Sequence, residues 1–135
     1  MFISEEKDVP ADYNISVHEV TKAWVMGTGK KSHYPVTTNG CNWIFATNEG
    51  TDTWDAEGGD YGTVDPEVAS QSFHNVQGDI EVDVTKLVEM WHSGKKVNYG
   101  MLIRRSGSEE TNATEYGTLN YYSKETHTIY PPRLE

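Results

Sequence analysis

The chain has 135 residues and a formal net charge of −10, which argues against unassisted binding to nucleic acid or to an anionic membrane. That length suits one domain that buries a core without disulfides, and the lone Cys41 excludes an internal one. No apolar run is long enough to span a bilayer, and Met1-Phe2-Ile3-Ser4-Glu5-Glu6 turns acidic too soon for a signal peptide.

In chain order, Met1-Phe2-Ile3 opens apolar and strand-like. Tyr13 to Val20 alternates apolar and polar residues, the period-two pattern of a half-buried strand. Trp24-Val25-Met26 follows, then Gly27-Thr28-Gly29-Lys30-Lys31; the latter lacks the strand–loop–helix frame of a phosphate loop and reads as a turn. Cys41 to Ala46 reads as a short aromatic strand and Thr47 to Glu67 as a long acidic loop, with Trp54 and Tyr61 pinning it to the core. A weaker strand at Ser72 to Val76 and a turn at Gln77-Gly78-Asp79 precede Ile80 to Val84, which alternates again. From Lys86 to Trp91 the spacing becomes helical, with Leu87, Val88 and Trp91 on one face, Trp91 expected buried and Gly94 ending the turn. Tyr99 to Ile103 returns as a strand, Ser106 to Asn112 is a solvent loop, and Gly117 to Ser123 is a strand. Thr128 to Pro132 leads into a last strand that stops at Arg133-Leu134-Glu135. The expected fold is all-β, a jelly-roll-like antiparallel β-sandwich with one short helical turn near Leu87–Trp91. Residues 1–135 form a single domain in this reading, a fragment with opening strands missing before Met1 and its last strand cut after Glu135.

Trp24 with Gly27 and Gly29, Trp43, Trp54 with Gly58-Gly59-Asp60-Tyr61, Val82-Asp83-Val84-Thr85 with Trp91, Gly94 and Asn98-Tyr99-Gly100, Tyr122-Ser123 and Pro132-Arg133-Leu134 together resemble the DNRLRE-type β-sandwich domain. That family is a jelly-roll module of bacterial and archaeal surface proteins, some of which bind polysaccharide. Trp24 to Lys30 and Glu125 to Pro132 look closer still to structural proteins of contractile-tailed phages, especially those of marine bacteria. The resemblance implies a non-enzymatic virion module in a tail, neck, fibre or capsid-associated protein. Its partners would be other virion proteins, further copies of itself or host surface polysaccharide. The alternative is a carbohydrate-binding module of an extracellular or cell-surface protein.

The residues offer little catalytic chemistry. His18, His33, His74, His92 and His127 are scattered, with no two at metal-ligand spacing. Cys41 beside Trp43 reads as a small core residue rather than a nucleophile. No apolar environment marks a carboxyl as a raised-pKa acid for glycoside hydrolysis. No cofactor is expected apart from structural calcium. For that, Asp52, Asp55, Asp60 and Asp65 are the candidate ligands, since hard cations take several oxygens from flexible backbone. The competing reading is a solvated acidic loop. For glycan binding the candidates are Tyr61, Tyr121 and Tyr122; adjacent Tyr121 and Tyr122 must face opposite sides of a strand.

Overall fold

A computed structural model describes residues 1–7, 12–29, 34–48, 50–65, 68–75, 78–105, 117–125 and 128–135. Five strands and one helix follow one another: β1 (Ile3–Lys7), β2 (Asp12–Glu19), β3 (Val68–His74), α1 (Thr85–His92), β4 (Met101–Arg105) and β5 (Thr118–Tyr121). The architecture is all-β, with antiparallel sheets and a single short helix. Strand order is β1-β5 in a two-stranded sheet and β3-β2-β4 in a three-stranded one. The loop expected at Ser106–Asn112 lies outside the described residues, as do Lys30-Lys31, Glu67 and Val76-Gln77. Among the described residues no helix is long and apolar enough to cross a membrane.

The chain divides into two compact units. The first holds Met1–Val17, Ala69–Val84 and Ile103–Glu135. In β2, Tyr13 and Ile15 are buried between exposed Asp12 and Asn14, as the alternation requires. They join Phe73 and Ile80 in one apolar cluster, with Met1, Val82, Leu119 and Tyr121 packed against it. The Tyr13 and Phe73 rings stack at 4.7 Å and 9°. Both sheets thus share this core, a sandwich-like arrangement within the unit. β1 and β5 pair antiparallel, Ile3 opposite Tyr121, with a bulge between Ile3 and Glu5.

Two expected strands of this unit are not formed. Ile80 to Val84 keeps its alternation, with Ile80 buried and Glu81 and Asp83 exposed, yet it belongs to no ladder. Its backbone N–H groups go elsewhere: Ile80 donates to the Met1 carbonyl at 2.9 Å and Glu81 to the Gln71 side chain at 2.7 Å. Thr128 to Leu134 is not a strand either; Tyr130 instead sets its ring against Phe2 at 5.1 Å.

The second unit holds His18–Val68 and Thr85–Leu102. It is built from loops tied by isolated bridges, Val20 to Tyr61 and Phe45 to Thr53. The run from Cys41 to Ala46 is a set of turns rather than a strand. Asn42 explains this, because its Oδ1 accepts from the N–H groups of both Ile44 and Phe45 at 2.8 Å, a local bond that competes with a ladder. In α1, Leu87 is the buried residue, while Trp91, expected buried, is only half-buried. Gly94, at φ +72°, ends the helix and donates to the Trp91 carbonyl at 3.1 Å.

Candidate functional site

The acidic loop folds around a lysine. Lys22 follows the Val20 bridge, and its Nζ donates to the Thr53 carbonyl at 2.6 Å. The same ammonium lies 3.2 Å from Asp52 and 3.6 Å from Asp55. Its pKa is held above the usual lysine value, first by the hydrogen bond to Asp52, against desolvation, with the charges of Asp52, Asp55 and Asp60 adding to the rise. Asp60 itself accepts the backbone N–H groups of Asp55 and Ala56 at 2.9 and 3.1 Å, closing the Asp55–Asp60 turn. Asp65 is 3.8 Å from Lys86. Of the four aspartates expected as calcium ligands, Asp52, Asp55 and Asp60 thus gather around Lys22, whereas Asp65 faces Lys86. Among the described residues no group of three or more metal-ligating side chains forms.

The three tyrosines expected to meet a glycan have separate surroundings. Tyr61 belongs to the second unit, half-buried with its ring edge-on to His18 at 4.7 Å and 60°. The contact with buried His18 suits a role in pinning the loop; Trp54 Nε1 instead donates to the carbonyl of the exposed Asn42 at 2.9 Å. Tyr121 faces the core of the first unit. Burial pushes its phenol up to about 12, with the Tyr13 and Asp79 charges adding and Arg105 opposing. Tyr122 follows β5 and is half-buried. It stacks with Tyr130 at 6.2 Å and 28°, and Tyr130 in turn meets Phe2. Tyr130 remains 45% exposed, so this trio presents a ring to solvent.

The side chains that sequence reasoning missed lie in the second unit. Trp24, Val25, Met26, Trp43 and Ile44 are all exposed. Their backbones are knitted together: Val25 donates to the Ala46 carbonyl at 3.0 Å and Cys41 to the Val25 carbonyl at 2.7 Å. Both indole N–H groups have partners within the unit. Trp24 Nε1 donates to the Tyr99 carbonyl at 2.7 Å, and Trp43 Nε1 to Glu57 Oε2 at 3.4 Å. Trp43 looked like part of an aromatic strand; its ring instead lies exposed against Gly58, fifteen positions along.

Two further groups bear on chemistry. Cys41 is half-buried, and desolvation pushes its thiol above the ordinary value, partly offset by a backbone hydrogen bond. That disfavours the thiolate a nucleophile needs. Glu19, 1% exposed, lies 3.4 Å from Lys96 Nζ, so its buried charge is paired. Neither known protein families, nor curated proteins, nor solved structures give a match to this chain.

Proposed function

We propose that the protein is a non-enzymatic structural and assembly module of a bacteriophage virion, with a jelly-roll-like β-sandwich of the DNRLRE type. One observation carries this reading: the second unit exposes Trp24, Val25, Met26, Trp43 and Ile44 on backbone-linked segments, with both indole N–H groups held internally. Exposed large apolar side chains gathered on linked segments are a common mark of protein–protein contact. Anchors held rigid before contact lose little entropy on docking. The partners in this reading are other virion proteins or further copies of the chain. Gradient-purified particles from a culture of the source organism provide the test. Mass spectrometry should find the chain co-sedimenting with particles, and antibody against it should decorate one location on them. Chain found only in the particle-free fractions would overturn the reading.

A second reading, a carbohydrate-binding module at an extracellular or cell surface, is favoured by the partly exposed Tyr130 ring beside Tyr122. Sugar faces stack on such rings, and Tyr130→Ala should then abolish retention on a polysaccharide matrix that holds the parent chain. Equal retention of both would set this reading aside.

A further inference from the structure

The geometry points to Trp43 and Glu57 as a seat for the guanidinium of an arginine carried by a basic partner segment. The inference rests on the assembly reading above and names the partner's chemistry. A β-carbon at Gly58 would lie 2.8 Å from Trp43 Cη2 and 3.1 and 3.2 Å from its ring neighbours Cζ3 and Cζ2. Distances so nearly equal mean that the glycine approaches perpendicular to the ring, over its face and not at its edge. One face of the indole is thus backed by the chain, yet the side chain is still 55% exposed. The proposed seat is the opposite face.

Glu57 stands at the indole's Nε1 edge and is exposed. It differs from its neighbours in the loop. Asp52 and Asp55 have Lys22, Asp65 has Lys86, and Asp60 caps a turn. Among the described residues Glu57 has no cation, only the long bond from Trp43. A flat guanidinium can stack on the opposite indole face while its N–H groups reach the carboxylate, which a compact ammonium does less well. The net charge of −10 would draw a basic segment toward the seat from a distance. Val25, Met26 and Ile44 are further exposed apolar side chains of the same unit. A neutral sugar could also stack on Trp43, but the nearby Asn42 Oδ1 is already committed to Ile44 and Phe45. The charge of Glu57 therefore favours the cation.

The test uses the full chain, labelled with nitrogen-15, and follows the Trp43 indole N–H signal, identified by its loss in Trp43→Phe. A blocked Gly-Arg-Gly peptide should move that signal saturably, and the same peptide with citrulline in place of arginine should not. Glu57→Gln should melt with the parent, because Glu57 is exposed, and bind the arginine peptide roughly two- to fivefold more weakly, with the difference shrinking in high salt. Equal shifts from the citrulline peptide, or undiminished binding by Glu57→Gln, would overturn the seat. A shift caused by maltohexaose and not by the arginine peptide would overturn it in favour of a sugar platform. If particles carry the chain while the peptide leaves Trp43 unmoved, the seat fails and the assembly reading stands. If the peptide binds but no particle carries the chain, the assembly reading alone fails.

Discussion

Trp43 lies across Gly58 so closely that a methyl group at position 58 would come within 2.8 Å of the indole. Gly58 also holds φ at +92°, a conformation L side chains rarely adopt. The contact and the backbone thus require glycine together. Gly58→Ala should cost about 1–3 kcal/mol in urea unfolding. It should also displace the Trp43 indole N–H signal, since the ring must lift. A variant that melts with the parent and leaves that signal in place would show the ring to be free of Gly58.

Much of the fold was legible where burial and pairing coincide. Tyr13, Ile15 and Val17 alternate in sequence and are buried in β2, and β2 follows the expected span to within a residue at each end. The same alternation misled at Ile80 to Val84, because period two reports which side is buried and says nothing of who satisfies the backbone. There, Met1 and the Gln71 side chain take the place of a strand. At Cys41 to Ala46 the aromatic content suggested a strand, but Asn42 turns the chain on itself. The site was less legible still. Lys22 comes thirty positions before Asp52 in the chain, and no local spacing links its ammonium to that carboxylate.

The Lys22 arrangement sets an expectation for metals. With an ammonium already on Asp52, Asp55 and the Thr53 carbonyl, chelator and added calcium should both leave the melting temperature unchanged. Lys22→Met should lower it, by an amount that shrinks as salt screens the freed carboxylates. A melting temperature that rises with calcium in the parent chain would restore the ligand role of these aspartates.

In α1, the residue that matters most for stability should be Leu87 and not Trp91. Leu87 is 2% exposed, whereas Trp91 is half-buried, with an Nε1 that finds no hydrogen-bond partner among the described residues. Leu87→Ala should cost about 2–5 kcal/mol, as buried leucine truncations do. Trp91→Phe should cost less, since it also removes a donor whose burial is unfavourable. Denaturant melts of the two variants give the order directly; the reverse order would make Trp91 the anchor.

Tyr121 should make the chain sensitive to alkali. Its phenol is pushed from an ordinary 10.0 up to about 12 in the folded chain, because burial first, then Tyr13 and Asp79, disfavour the phenolate. A raised folded pKa means the folded state holds the proton more tightly than the unfolded state. Its contribution is therefore fully present below pH 10.0 and lost as pH rises toward about 12. Lys22, raised from 10.5, adds loss of the same sign in that range. Tyr121→Phe removes only the tyrosine part. Because the Tyr121 hydroxyl is buried with no partner among the described residues, the substitution should leave neutral-pH stability within about 1 kcal/mol of the parent or slightly above it. Thermal melts of parent, Tyr121→Phe and Lys22→Met from neutral pH to pH 12 should show the parent falling most steeply above pH 10.0. Identical alkaline profiles for the parent and Tyr121→Phe would mean that the phenol ionises equally readily in both states, and that its place against the core is not the one described.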